Sequence, residues 1–412
     1  MEQTDMRKQR GYEIATKSRI TRNEKGHWKV PSQTGEGSYM VISNGFGAEC
    51  NCPDHETRNV KCKHIWAVEL IVTQEIDQNG NVTVTKTIRK TYSQDWKNYN
   101  LAQTKEKELL MQFLADITSR LQQPAYTFGR PSNQLSDTVF SMVFKVYSTF
   151  SGRRFASDMQ IAQEKGFVEK KIPYNSMFEY FQKKEITPLL AQMVTVTSLP
   201  LQTVEKDFAI DSTGFGTSNF QRWFSFKHGK EIDSRKWVKC HFMTGVKTNI
   251  IPAVKITTEF ESDCPQLPEL VNKTAENFSM EEVSGDKAYL SRDNLKLIES
   301  YGAVPFVPFK SNSVENSKGA MIWKKMYHYF MLNRDDFLQH YHKRSNVETS
   351  VHMIKSKFGN AVRSKTWTAQ VNEVLCKVIC HNICVVIQEM HELGINPDFC
   401  LRSPLPAQKV EV

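Results

Sequence analysis

The N-terminus, Met-Glu-Gln-Thr-Asp-Met-Arg-Lys-Gln-Arg, has no apolar run of the kind a secretory signal needs. Nowhere along the 412 residues is there an uninterrupted apolar stretch long enough to span a bilayer. A secreted or membrane-embedded protein is therefore not expected, and a soluble intracellular one is. Cysteine is scarce and clustered: the nine residues, an odd count, favour thiols and metal ligands over a disulfide framework. With 40% hydrophobic and 24% charged residues the chain is not a disordered polymer and can build two or three domains with real cores. The formal charge of +9 makes a polyanion a natural partner, although many basic proteins bind no nucleic acid.

Three of the cysteines stand close to histidines. In residues 1–92, Trp28, Val30, Tyr39, Val41 and Ile42 lie in short strand-like runs separated by the turn-rich 33–38, which predicts a hairpin. The hairpin runs into Cys50-x-Cys52 and Cys62-x-His64, the three thiolates and an imidazole that a closed, structural zinc site uses. The one-residue spacing departs from the usual knuckle because alternate side chains on a strand diverge; Pro53 is placed to turn the chain so that the sulfurs converge. His55 is a competing ligand, and buried free cysteines beside a chance histidine are the plain alternative. Cys-Asn-Cys-Pro-Asp-His followed by Val-Lys-Cys-Lys-His-Ile-Trp-Ala-Val resembles the SWIM zinc finger, including its apolar helix, here over 65–72. Asn79-Gly80, between Gln74-Glu75-Ile76 and the alternating Val82, Val84 and Ile88, predicts a second hairpin. Arg58, Lys61, Lys63, Arg89 and Lys90 would give the module a basic surface.

A helix over 97–122 and a loop over 123–133 link this module to consecutive helices predicted at 135–150, 153–165, 175–184 and 187–197. Basic residues, Arg153 and Arg154 first among them, gather at the turns. A helix-turn-helix-like DNA-binding region and an ordinary solvated bundle both explain 135–200. From Asp207 the pattern changes. Asp207 to Gly214 alternates like a half-buried strand with Asp211 near its end, and strand-like runs follow at 222–226, 237–246 and 250–257. A helix at 267–278, a short strand delivering Asp286 into a turn, a helix at 292–301 and a strand at 303–309 complete the order. Strands first, then alternating helix and strand, is an order the ribonuclease-H-like fold permits.

Tyr341 to Lys355 reads Tyr-His-Lys-Arg-Ser-Asn-Val-Glu-Thr-Ser-Val-His-Met-Ile-Lys. Arg344, Glu348 and Lys355 are spaced near whole turns of a helix and should project from one side, while Val347, Val351, Ile354 and Phe358 form the apolar face. An amphipathic helix with solvated charges explains the same spacing. The pattern Tyr-x2-Arg-x3-Glu-x6-Lys, together with Asp-Ser-Thr-Gly and Gly-Asp-Lys-Ala-Tyr, resembles the DDE transposases of insertion sequences, in the branch with the Tyr-Arg-Glu-Lys signature, from about 135 to 388.

Taken with the zinc module and the linking segments read above, that resemblance implies a multidomain α+β and α/β chain. Its parts would be a zinc-stapled β-hairpin-plus-helix module at 1–92, a link at 93–134, the helical region at 135–200, a ribonuclease-H-like catalytic core with a mixed sheet at 201–393, and a flexible tail at 394–412. It implies that Asp211, Asp286 and Glu348 hold two magnesium or manganese ions, with Asp207 a second choice for the first position, and that Tyr341, Arg344 and Lys355 contact DNA. The partners implied are double-stranded DNA, as transposon terminal repeats and target, and a second copy of the chain on the DNA ends; the compartment is the prokaryotic cytoplasm, at the nucleoid. Some members of this branch carry a long β-rich insertion before the glutamate, but only about thirty residues are free here, with Trp323 the sole tryptophan among them. Cys376, Cys380 and Cys384, spaced i, i+4 and i+8 beside His381, are too spread along one helix for a single ion and are expected to pack in a core. A transposase-derived DNA-binding or regulatory protein without activity would share all these features but would not nick DNA.

Overall fold

The computed structural model describes residues 3–23, 27–33, 37–44, 47–58, 60–76, 82–86, 95–125, 132–217, 227, 237–316 and 318–399. The chain divides into two compact units, 1–93 and 94–412.

The first unit is built on an antiparallel sheet in the order β1 (Thr21–Arg22), β2 (Trp28–Pro31), β3 (Ser38–Asn44), β4 (Gly47–Cys50). Trp28 pairs with Val41 and Val41 with Cys50, so the apolar face of the predicted hairpin ends at a cysteine. Helices α2 (Pro53–Arg58) and α3 (Lys63–Ile71) follow, then the antiparallel pair β5 (Val72–Ile76) and β6 (Val82–Lys86). The Asn79-Gly80 turn that was expected to join them lies outside the described residues, as do Arg89 and Lys90. A helix not foreseen, α1 (Gln3–Lys17), packs on α3. A Cβ at Gly11 would lie 2.5 Å from Trp66 Cβ and 2.9 Å from the Lys63 carbonyl, so only glycine lets the two backbones approach this closely. Arg7 ties α1 to α2 with a fork onto Asp54, Nε to Oδ2 at 2.9 Å and Nη2 to Oδ1 at 3.1 Å.

In the second unit α4 (Trp96–Ser119), α5 (Leu135–Ser148), α6 (Gly152–Glu164), α7 (Tyr174–Phe181) and α8 (Ile186–Ser198) precede a sheet of β7 (Asp207–Gly216), β8 (Trp237–Gly245), β9 (Ala253–Thr258), β10 (Glu282–Gly285) and β11 (Val304–Phe306). Strand order is β11-β10-β7-β8-β9. The meander β7-β8-β9 is antiparallel, whereas β10 runs parallel to β7 and β11 parallel to β10. The two parallel additions need crossovers, supplied by α9 (Leu267–Ala275) and α10 (Arg292–Ser300). This mixed five-stranded order is ribonuclease-H-like. The strand expected at 222–226 lies outside the described residues. The β8–β9 turn is held by buried Glu205, whose carboxylate accepts the Lys247 N–H at 2.7 Å; a Cβ at Gly245 would strike it at 2.1 Å.

After β11 come α11 (Met321–Leu332), α12 (Arg334–Tyr341), a 3-10 turn at His342–Arg344, α13 (Ser345–Phe358) and α14 (Trp367–Glu392). The segment between the second aspartate and the glutamate is thus helical rather than β-rich. Its Trp323 is buried against Phe309 and donates to the Val314 carbonyl at 2.9 Å.

α14 is the axis of the helical layer, packed by α4, α5, α7 and α8. By length and composition it alone among the described helices could cross a membrane, but 89% of its apolar window is buried inside the protein. Its polar residues bond inward. Asn382 donates to Val194 O at 3.1 Å and Ile251 O at 2.8 Å, and His381 Nε2 meets Asn249 O at 2.9 Å. Each such pairing removes the cost of a buried polar group, roughly 1–3 kcal/mol if left unmet. Cys376 and Cys380 are wholly buried in this core, where desolvation pushes both thiols up, and Cys380 Sγ donates to Val143 O at 3.3 Å. α5 and residues of β7 and β8 share that core, so the helices of 135–200 and the sheet pack as one body.

Candidate active site and metal centre

β7 has two working faces. Phe208 and Ile210 enter a core with α9, and on the other face Asp211, Thr213 and Phe215 follow at the strand period of two. The parallel ladder pairs Gly285 of β10 with Ile210, so the next residue, Asp286, leaves the sheet beside Asp211. A Cβ at Gly285 would lie 2.7 Å from Ile210 Cγ2, which makes glycine the residue that lets the strands close at this point. Asp286 then caps a 3-10 turn, accepting the Lys287 N–H at 2.5 Å. Burial pushes Asp211 above the ordinary carboxylate range, and the nearby Asp286 adds to this; the Ser212 N–H at 2.8 Å and Arg344 oppose it.

α13 and the turn before it supply the opposing charges. Arg344 Nη1 lies 2.5 Å from Asp211 Oδ2, and its Nη2 lies 3.3 Å from Glu348 Oε1. Lys355 Nζ donates to Thr213 Oγ1 at 2.7 Å, two residues along the same face of β7. Arg344 and Lys355 therefore do face one surface, although Arg344 sits in the 3-10 turn rather than in the helix proper. Tyr341 has its ring 5.9 Å from the Arg344 guanidinium carbon. Glu348 is two-thirds exposed.

Asp207, the second choice for the first carboxylate, belongs to a different group. It pairs in the ladder with Glu282, and Lys343 bridges the two at 2.7 and 2.8 Å. His340 Nδ1 is also 2.8 Å from Glu282. Burial pushes the Glu282 carboxyl up, but Lys343 and His340 outweigh it and leave it below its ordinary value. Lys343, His340 and Glu282 were not singled out from sequence; the basic run 340–344 was the available signal. Behind Asp286, buried Tyr289 faces His241, whose Nε2 meets Thr257 Oγ1 at 3.0 Å; burial lowers that imidazole to about 4, so it is neutral at physiological pH. Arg153 and Arg154 are exposed in the first turn of α6 and are not among the residues that reach the carboxylates.

In the first unit, Cys50 closes β4, Cys52 precedes α2 with Pro53 as its first residue, and Cys62 and His64 straddle the start of α3. Their ligand atoms all lie within 4.8 Å of one another and all four residues are buried. His64 Nδ1 is 3.8 Å from both Cys50 Sγ and Cys62 Sγ. The contact with Cys50, and then His64, hold the Cys62 thiol below its ordinary value against its burial. This group can hold a zinc ion. His55 is not in it, because its Nδ1 is bound to the Val60 carbonyl at 2.8 Å.

Among the described residues no other group brings three such ligand atoms as close. Asp211, Asp286 and Glu348 stand wider apart, with a guanidinium between the first and the third. Their chemistry nonetheless fits a hard divalent cation: all three offer oxygen, and the two aspartates are neighbours whose repulsion a cation would relieve.

Residues 202–383 match the family model described as the transposase DDE domain. The matched span, 182 of the 412 residues, takes in the sheet, α13 and most of α14. Among solved structures the chain is similar to the cryo-EM structure of a piggyBac transposase synaptic complex with hairpin DNA, at 11% identity and a TM-score of 0.35, covering 76% of this chain and 79% of that one. No curated protein matches.

Proposed function

We propose that the protein is a DNA transposase of the Tyr-Arg-Glu-Lys branch, which binds transposon ends, hydrolyses the phosphodiester there and joins the freed 3′ hydroxyl to target DNA. The reading rests above all on the parallel ladder that brings Asp286, just past the end of β10, beside Asp211 in the middle of β7, within a span matching the DDE domain. Asp211, Asp286 and Glu348 would hold the magnesium or manganese ions. Such ions, when bound, activate the attacking oxygen and stabilise the leaving one in an in-line displacement. The chain's own part is positioning: Arg344, already directed at the carboxylates, offers a planar fork for a phosphate, and Lys355 holds a positive charge on the same face of β7. Both steps are phosphoryl transfers at one site and need no covalent protein–DNA intermediate, so Tyr341 is assigned to DNA contact rather than nucleophilic attack. The Cys50, Cys52, Cys62, His64 group would hold a structural zinc in a SWIM-type finger, and Arg153 and Arg154 are assigned to DNA backbone contact. Two copies would act together on paired ends.

A second reading, a transposase-derived DNA-binding protein without activity, draws on Arg344 occupying the space between Asp211 and Glu348. Metal-dependent nicking of a duplex carrying the cognate terminal repeats separates the two. Parent protein should nick it in magnesium or manganese. Asp211→Asn, Asp286→Asn and Glu348→Gln should each abolish nicking while retaining end binding, since amides keep shape and lose metal-binding charge. Glu348→Gln cleaving at the parent rate would remove Glu348 from the site.

A further inference from the structure

A cavity of about 940 Å³ opens in the second unit where the α5–α6 turn, the end of α7 and the loop joining α13 to α14 meet. Its walls combine two chemistries. Phe150 and Phe178 line it and remain 48% and 42% exposed, so two aromatic faces are open to whatever enters. Lys145, Arg363 and Lys365 line it too, with Arg363 Nη1 donating to the Phe150 carbonyl at 3.3 Å, and the carboxylate in the lining, Glu373, is spent on the backbone N–H groups of Arg363 and Ser364 at 2.9 to 3.0 Å. Lys145 is the decisive residue. The residue is 7% exposed, and its ammonium, which forms no hydrogen bond or ion pair among the described residues, is not one of the fully buried unpartnered atoms and so borders the cavity. Burial first, and then Arg363, push it down to about 8 against the pull of Glu373. Its neighbour Lys377, by contrast, is satisfied by the carbonyls of Phe358, Gly359 and Ala361 at 2.8 to 2.9 Å.

An ammonium on a largely buried stem, with no counter-ion and only the cavity in front of it, is poorly solvated and would gain from an anion that enters there. An inorganic anion alone would leave the aromatic wall uncovered, and a wholly apolar ligand would leave Lys145 unmet. The volume suits a ligand of nucleotide size. We propose that this cavity is a nucleotide site, in which an unpaired base lies against Phe150 and Phe178 and its phosphate is held by Lys145 with Arg363 and Lys365. The nucleotide is either free or an unstacked member of a DNA strand. The site is separate from the carboxylates, since Glu348 is in the first turn of α13 and Phe358 at its end, about 15 Å away at the helical rise. The assignment does not depend on the transposase reading.

The test is titration calorimetry of the full-length chain with deoxyadenosine 5′-monophosphate, deoxyadenosine and inorganic phosphate, without divalent metal. The monophosphate should bind saturably, and each half alone at least about tenfold more weakly, because each makes one of the two interactions. Lys145→Met, which keeps the stem and removes the charge, should weaken the monophosphate about tenfold or more. Phe178→Ala, at an exposed position that does not threaten the fold, should do likewise. A single-stranded oligonucleotide bearing one 2-aminopurine gives the other arm: quenching that is lost in both variants, with no binding of the monophosphate, identifies a DNA strand as the source. Binding of the monophosphate without that quenching identifies the free nucleotide. Failure of both probes, or binding of both that is unchanged in Lys145→Met or in Phe178→Ala, overturns the site. Because no cleavage is read, a protein inactive on DNA ends can still pass.

Discussion

Arg344→Met removes the cation between Asp211 and Glu348 and leaves a stem to pack near Tyr341. The two arms lost are unequal. Glu348 is 66% exposed, so solvent screens its pairing and that arm contributes about 0–1 kcal/mol. Arg344 and Asp211 are 19% and 24% exposed, and a hydrogen bond between charged groups so placed is worth about 1.5–3 kcal/mol. The variant should therefore unfold about 1.5–3 kcal/mol more easily in a chelator at neutral pH. The pH dependence has a definite sign. Burial and Asp286 already raise the folded-state pKa of Asp211 above its ordinary value, and Arg344 holds it back. Without Arg344 it rises further, so the deficit is complete above the carboxylate range and shrinks as falling pH protonates Asp211 in both proteins. Manganese should narrow the deficit, since a divalent ion on the carboxylates supplies the missing charge and binds only the folded state. Urea unfolding of parent and variant, in chelator and in manganese, at acid and neutral pH, reads all three effects. Equal midpoints in chelator, or a deficit that manganese leaves untouched, would show that these side chains are not one electrostatic unit.

Cys62→Ala should release one zinc and abolish hydrogen-exchange protection in α1 and α3, while protection of β7 and α14 persists, because the units are separately compact. If the finger contacts DNA, the same variant should lower end affinity and flatten its salt dependence; zinc without such an effect would remove only that role. Glu389 is 8% exposed, and burial first, with Glu392 and Glu205, raises it to about 7. A carboxyl raised in the folded state stabilises most below its unfolded pKa and loses that contribution as pH climbs through the folded one. Glu389→Gln should thus gain on the parent by on the order of 1–3 kcal/mol between pH about 4.5 and about 7, and parallel thermal melts across that range would refute this.

Periodicity carried most of the elements because their causes are local. The alternation of Asp207–Gly216 and the helical spacing in 135–197 specify a strand and helices without reference to anything distant. α1 escaped for the opposite reason. Gln3–Lys17 is polar with a glycine at its centre, and what holds it is Trp66, 55 residues on from Gly11, and Asp54, 47 on from Arg7. The carboxylates could be named from short motifs, yet their counter-ions could not: Arg344 reaches Asp211 across 133 residues and Lys343 reaches Asp207 across 136, contacts that exist only once β7 lies beneath the 3-10 turn. The aromatic and basic cavity is drawn from five helices, α5, α6, α7, α13 and α14, and has no linear signature at all.

The three carboxylates are not mounted alike. Asp211 and Asp286 come from neighbouring strands of the sheet, whereas Glu348 comes from a helix pinned at both ends: near its start Asn346 Nδ2 donates to the Val246 carbonyl at 2.7 Å and Ser350 Oγ to Asn249 Oδ1 at 3.0 Å, and at its end the Lys377 ammonium grips the carbonyls of Phe358, Gly359 and Ala361. The backbone that carries the third carboxylate is therefore fixed against the β8–β9 turn, and the freedom left to the site lies in the Glu348 side chain, two-thirds exposed. Fitting the carboxylates around a cation is then a matter of side-chain rotamers, of Glu348 turning in and Arg344 turning out, over a scaffold that need not move.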